Sequence, residues 1–222
     1  VQHDPATSAF VCRTFACTAE VAEQILARAR LANFAGQAVI VRQGDQLSLA
    51  WLLMLGSARA FLCTAEGQMV LLHEFRPGDF FGSLGETEGA RQDADIVAVE
   101  PVSALQFEGA QLALLAQHYG CIGLALSRLL IQRLRATTAR MYERSALSAV
   151  GRVYSELLRL AREHDDLAIR PAPVLSDLAL RMSTTRETAS RAVSGLERRG
   201  IVRREADALV IVAPRRLEEM IL

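Results

Sequence analysis

The chain has 222 residues, of which 51% are hydrophobic and 23% charged, and its 25 arginines balance 25 acidic residues with no lysine present. That composition excludes a disordered polymer, and the apolar run LSLAWLLML (47–55) is too short to cross a membrane and suits a buried strand. Two modest domains, or one larger one, fit the length; with no secretory signal at the N-terminus, a cytoplasmic location and no membrane partner are expected.

Charge is unevenly spread. Residues 1–108 hold 7 arginines against 13 acidic residues, 109–145 hold 5 against 1, and 146–222 hold 13 against 11. An acidic front half followed by a mildly basic rear predicts different partners for each. Every phosphate contact must come from arginine or a neutral donor. Cys12, Cys17, Cys63 and Cys121 form no CxxC and fit no zinc framework; they read as free thiols, with Cys12 and Cys17 a pair and the other two elsewhere.

In chain order, residues 19–33 have helical spacing and predict a short cap helix. From 36 to 108 short apolar runs alternate with turn signals (RQGDQ, LGSA, AEGQ, RPGD, EGARQDAD, VEPVS), as in an all-β barrel or sandwich. Gly44-Asp45 and Gly78-Asp79 are the clearest turns. A long helix is expected over 109–143. Its Leu112, Leu115, Tyr119, Ile122, Leu126 and Leu129 step by three and four, the seam of a coiled coil, which predicts a homodimer. Leu115, Tyr119, Ile122, Leu126 and Leu129 are therefore the candidate dimerisation residues.

A second helix is expected over 147–164, then a short strand in AIRPAPVL, a helix over 175–182, a tight turn at Ser183-Thr184 and a helix over 185–199 ended by Gly200. Two strands in IVRREADALVIVA follow, and 215–222 suits a terminal helix. Helix, turn, helix and β-hairpin is the order of a winged helix-turn-helix.

On the 185–199 helix, Arg186, Glu187, Ser190 and Arg191 span roughly 140° at the helical period of about 100° per residue. Ala189, Ala192, Val193 and Leu196 gather on the opposite side. The second helix of such a pair lies in the DNA major groove. There arginine donates two bonds to guanine O6 and N7, and glutamate accepts from cytosine N4. A glutamate aimed at phosphates repels DNA, so one set between two arginines makes sense as base readout.

These segments together resemble the CRP/FNR family of bacterial transcription regulators over nearly the whole chain. RPGDFFGSLGE (76–86) resembles the phosphate-binding cassette of a cyclic-nucleotide-binding β-roll, and IQRLRATTARM (131–141) the dimerisation helix. TTRETASRAVSGLERRGIV (184–202) resembles the recognition helix and the entry to its wing. The resemblance implies an α+β chain: a β-roll sensor over 1–108, a dimerisation helix and hinge over 109–145, and a winged helix-turn-helix over 146–222. It implies base reading by Arg186, Glu187 and Arg191, DNA contacts from Thr185, Thr188, Ser190 and Ser176, and a palindromic TGTGA-like site. It also implies double-stranded DNA, a second copy of the chain and RNA polymerase as partners. Ser183 stands where relatives have glycine.

The sensor site departs from the family. A cyclic-nucleotide cassette needs backbone N–H groups and an arginine around the phosphate and an acidic residue for the ribose hydroxyl. Gly82 supports the first; Ser83, followed by Leu84, stands at the acidic position. With Ala94 as anchor, Gln92 occupies the arginine position and Asp93 adds a negative charge, with Arg91 one residue away. Thr137 and Thr138 match the helix hydroxyls that read adenine. The effector is left open, with weak or no binding of cyclic AMP expected. A four-thiolate iron–sulfur cluster lacks ligands, and haem has only His73 and His118 as candidate axial residues. A metal-dependent cupin needs His-x-His with a later Glu and His, whereas the roll offers only His73-Glu74, so no enzyme is expected. The alternatives are another ligand such as cyclic di-GMP or none, a redox- or gas-responsive regulator of the same fold using haem or an iron–sulfur cluster, and a nucleotide-sensing module that acts on a protein partner.

Overall fold

The computed structural model describes residues 4–63, 69–85 and 90–221, and the chain divides into two compact units, 1–134 and 135–222. The expected AEGQ turn (65–68) and Glu86 of the cassette lie outside the described residues. In chain order the elements are α1 (Pro5–Phe15), α2 (Ala19–Leu26), β1 (Arg30–Phe34), β2 (Val39–Val41), β3 (Leu49–Leu55), β4 (Ala58–Cys63), β5 (Met69–Phe75) and β6 (Phe80–Gly82). Then follow β7 (Asp95–Ala98), β8 (Val102–Glu108), α3 (Gly109–His118), α4 (Gly120–Ala146), α5 (Ala149–Ala161) and β9 (Ala168–Ile169). The chain ends with α6 (Leu175–Arg181), α7 (Arg186–Arg198), β10 (Val202–Arg204), β11 (Leu209–Ile211) and α8 (Pro214–Glu219).

The first unit is a roll of two antiparallel four-stranded sheets, β1-β8-β3-β6 and β2-β7-β4-β5. Trp51, Leu53, Phe81 and Ala104 face the space between the sheets with Phe75 and Ile96. Their neighbours Ala50, Leu52, Phe80 and Leu105 face the other way, against helices. A sheet covered on both faces explains why β3 reads as a continuous apolar run instead of an alternating one. Gly44 and Gly78 adopt left-handed φ of 85° and 97°. Each closes a four-residue turn, and the following Asp45 or Asp79 carboxylate accepts the first residue's N–H.

Three expectations change here. Only 19–26 of the expected 19–33 helix is helical, because Arg30–Phe34 instead pairs with Val102–Gln106 as an edge strand and satisfies its backbone there. A further helix, α1, precedes it; Asp4 caps it and Pro5 occupies its first turn. The long helix is two: α3 and α4 bend by 114° at extended Tyr119, just before Gly120. No single described helix is long and apolar enough to cross a membrane.

The bend settles where the seam goes. Leu112, Leu115 and Ile122 are at most 3% exposed and Leu126 is 7% exposed, all in the core beneath the first sheet, with Tyr119 and Leu129 packed against it. Within one chain they pack against their own roll. Accordingly α3 and the first half of α4 fall within the first compact unit, 1–134.

In the second unit, α5, α6, α7 and α8 surround one core with the sheet β10-β11-β9. Ser148 caps α5 and Thr185 caps α7, each accepting an N–H two or three residues inside its helix. Gly200, with φ of 65°, ends α7 and turns the chain into β10. The hairpin β10–β11 pairs Val202 with Ile211 and Arg204 with Leu209.

Candidate DNA-reading helix and effector cavity

Helix α7 is held from one side only. Ala189, Ala192, Val193 and Leu196 are all at most 3% exposed in the core of the second unit. Arg186, Glu187 and Arg191 are exposed on the opposite side, Thr188 and Ser190 are half-buried, and Ser176 is exposed on α6. Among the described residues no ion pair engages Arg186 or Arg191. Its own backbone N–H and the Thr185 hydroxyl hold the Glu187 carboxyl below the usual carboxylate range, aided by the charges of Arg186 and Arg191. Glu187 is thus an ionised acceptor at the helix N-terminus.

Thr185 has an internal task as well as the expected DNA contact. Its Oγ1 accepts the Thr188 N–H at 3.2 Å and lies 3.1 Å from the Thr188 hydroxyl. The turn before it holds Ser183 in the left-handed region, φ 48°, with its hydroxyl accepting from Arg144. Arg152 donates to the Met182 carbonyl at 3.1 Å and to the Leu147 carbonyl at 3.2 Å, which fixes the turn from α5. Arg152 and Arg144 escape sequence reasoning, since both act across more than 25 residues of chain.

The roll holds a cavity of about 310 Å³. Gly82, Ser83, Leu84, Arg91, Gln92 and Asp93, six of the expected effector residues, line it together. Thr137 and Thr138 lie further along α4, exposed. Ala94 is buried as the anchor.

The cassette geometry differs from a phosphate cradle. Ser83 donates its N–H to the Leu49 carbonyl at 2.7 Å, and its buried Oγ accepts the Gly85 N–H at 3.0 Å. Gly82, with φ of 94°, is required because a Cβ there would stand 2.1 Å from the Leu49 oxygen. The glycine serves the close approach of β6 to β3. Arg91 donates to the Gly44 carbonyl at 2.8 Å. Position 83 therefore offers no carboxylate for a ribose hydroxyl, and the N–H groups of Ser83 and Gly85 are spent within the chain.

One cavity residue was not anticipated as a ligand contact. Arg133 on α4 reaches into the roll, donates to the Phe80 carbonyl at 2.7 Å and lies 5.1 Å above the Phe75 ring. Burial lowers its pKa, opposed by the charge of Asp79. It continues the stripe of Ile122, Leu126 and Leu129, and that spacing was a usable signal.

The cysteines also regroup. Cys121, expected to lie apart, packs against the same core as Cys12 and Cys17, and only Cys63 is exposed elsewhere. Burial pushes the Cys17 thiol up to about 11, with smaller contributions from Cys12 and Cys121. No described group of three His, Cys, Asp or Glu side chains has the arrangement of a metal site. His73 packs edge-on to Phe75 at 4.7 Å and His118 to Tyr119 at 4.8 Å.

On α4, Leu124, Ile131, Leu134 and Met141 are 50–67% exposed and repeat at steps of seven and three. This is a second a/d stripe, distinct from the one the roll buries.

Comparison with known proteins finds one family model in each half of the chain. A cyclic nucleotide-binding domain model matches residues 31–119, and a Crp-like helix-turn-helix domain model matches 151–220. The chain is 30% identical over 166 residues to the cyclic AMP receptor protein of Thermus thermophilus, covering 74% of this chain and 75% of the relative. It is 24% identical over 201 residues to the cAMP-activated global transcriptional regulator Vfr of Pseudomonas aeruginosa, covering 87% and 94%. A solved variant of CooA from Carboxydothermus hydrogenoformans shares the fold with a TM-score of 0.79 at 18% identity, covering 90% of each chain.

Proposed function

The chain belongs to the CRP/FNR family of DNA-binding transcription regulators, and on that premise we propose that it acts as a homodimer on a palindromic, TGTGA-like site under control of a ligand in the roll cavity. It is a regulator and not an enzyme. The observation that carries the proposal is the α7 surface: two arginines and an ionised glutamate exposed at the start of a helix whose other side is wholly buried. Arg186 and Arg191 donate to guanine, and Glu187 accepts from cytosine. Thr185, Thr188, Ser190 and Ser176 position the helix on the backbone.

Two copies joined through the exposed stripe of α4 present two such helices to a two-fold symmetric site. The cavity wall includes Leu126, Leu129, Leu130 and Arg133 of the same helix, so a ligand there contacts the dimerising element directly. RNA polymerase is the protein partner this arrangement serves. Gel shift with a random palindromic DNA library tests the reading. Retention of one half-site family is expected, with affinity that falls as salt rises; binding indifferent to sequence contradicts it.

A further inference from the structure

We infer that the cavity takes a monocarboxylate with an apolar body, held by Arg133, and not a cyclic nucleotide. This rests on the reading of the cavity as the effector site.

Phe75, Phe80, Phe81, Leu126 and Leu129 form an apolar part of the wall. Into that wall Arg133 brings a guanidinium that, among the described residues, meets one carbonyl and one aromatic ring. No carboxylate forms an ion pair with it among the described residues. A partly desolvated cation in that position gains strongly from an anion, and a carboxylate matches its planar fork with two parallel bonds. Arg91, the other cation on the wall, is exposed, so water already solvates its charge, whereas Arg133 is half-buried. Asp93 on the same wall repels a second negative charge.

The nucleotide is disfavoured on separate grounds. The Ser83 and Gly85 N–H groups are spent within the chain, and no carboxylate stands at Ser83 for a ribose hydroxyl.

Trp51 is the only tryptophan, and its ring stacks on Phe81 of the cavity wall at 6.4 Å and 20°. Its emission therefore reports on the cavity in the full chain. The test titrates the protein with decanoate below its micelle concentration, with decanol and with cyclic AMP. A saturable change with decanoate is expected, with decanol and cyclic AMP each at least about tenfold weaker, the scale of a charge-assisted hydrogen bond. Arg133→Gln should weaken decanoate about tenfold and leave decanol unchanged. Equal binding of decanol and decanoate, tighter binding of cyclic AMP, or no response to decanoate overturns the inference. The first comparison uses the unaltered protein and stands even if the variant fails to fold. Gel shift on the same preparation reads α7 separately. Sequence-selective DNA binding without a decanoate response overturns this inference alone. A decanoate response without any DNA shift supports it and overturns the DNA reading.

Discussion

Arg133 donates to the carbonyl of Phe80 at 2.7 Å, and so ties α4 to the strand that opens the cassette. The bond spans 53 residues of sequence. It links the cavity wall to the same turn of α4 that carries the exposed Ile131 and Leu134. Arg133→Met keeps much of the stem but leaves the Phe80 oxygen without this donor. A loss of about 1–3 kcal/mol is expected from a bond of this kind, read as a lower midpoint in denaturant unfolding followed at Trp51. An unchanged midpoint means the bond is not formed in solution.

The two apolar stripes of α4 make opposite predictions. Ile131→Glu with Leu134→Glu should give folded monomers, since both side chains are at least 50% exposed in one chain. Ile122→Glu with Leu126→Glu should unfold the roll, because a charge forced into its core has no partner. Sedimentation velocity with circular dichroism separates the outcomes. A dimeric Ile131/Leu134 variant would move the interface off α4's exposed stripe.

Gly82 and Gly78 both hold left-handed backbone, yet their substitutions should differ. A Cβ on Gly78 meets nothing within 4 Å, so Gly78→Ala carries only the conformational penalty, about 1 kcal/mol. A Cβ on Gly82 meets the Leu49 carbonyl at 2.1 Å and forces β6 away from β3. Gly82→Ala should cost about 3 kcal/mol or more, strain and overpacking together. Equal midpoints for the two variants in urea would contradict the close approach.

Cys17 gives stability a pH dependence. Its thiol is raised from 9.0 to about 11 by burial, with Cys12 and Cys121 adding to the shift. Unfolded chains release that proton near pH 9, while folded chains keep it to about pH 11. The folded state therefore binds more protons between those values, and its stability is full below pH 9 and falls as pH rises through that window. Cys17→Ser should flatten this slope. In iodoacetamide labelling at pH 8, exposed Cys63 should react first and Cys17 last.

Much of this was legible in local pattern. The buried run of β3, the one-sided apolar face of α7 and the Gly200 stop follow from period, composition and cap chemistry, all short-range properties. The seam of α3 and α4 was visible, but periodicity records only that a stripe is apolar, not which surface covers it. The bend at Tyr119 shifted the answer from a partner to the roll. The spacing of Arg133 places it on the buried stripe, but its role depends on Phe75 and Phe80, more than 50 residues earlier. Separations of 30 residues and more also hid the Arg152 brace on Met182 and the packing of Cys121 against the core shared by Cys12 and Cys17.

Binding-site selection from random duplex DNA, with the wild type, Glu187→Ala and Thr185→Ser, tests the central claim most directly. Thr185→Ser keeps the cap on α7, whereas Thr185→Ala would remove it at about 1 kcal/mol and confuse folding with binding. The wild type should select one palindromic half-site with guanines opposite Arg186 and Arg191. Glu187→Ala should still bind but lose its preference at one symmetry-related pair of positions, worth about 1–3 kcal/mol of discrimination. Thr185→Ser should select the wild-type sequence. An unchanged preferred sequence for Glu187→Ala would contradict base reading by α7.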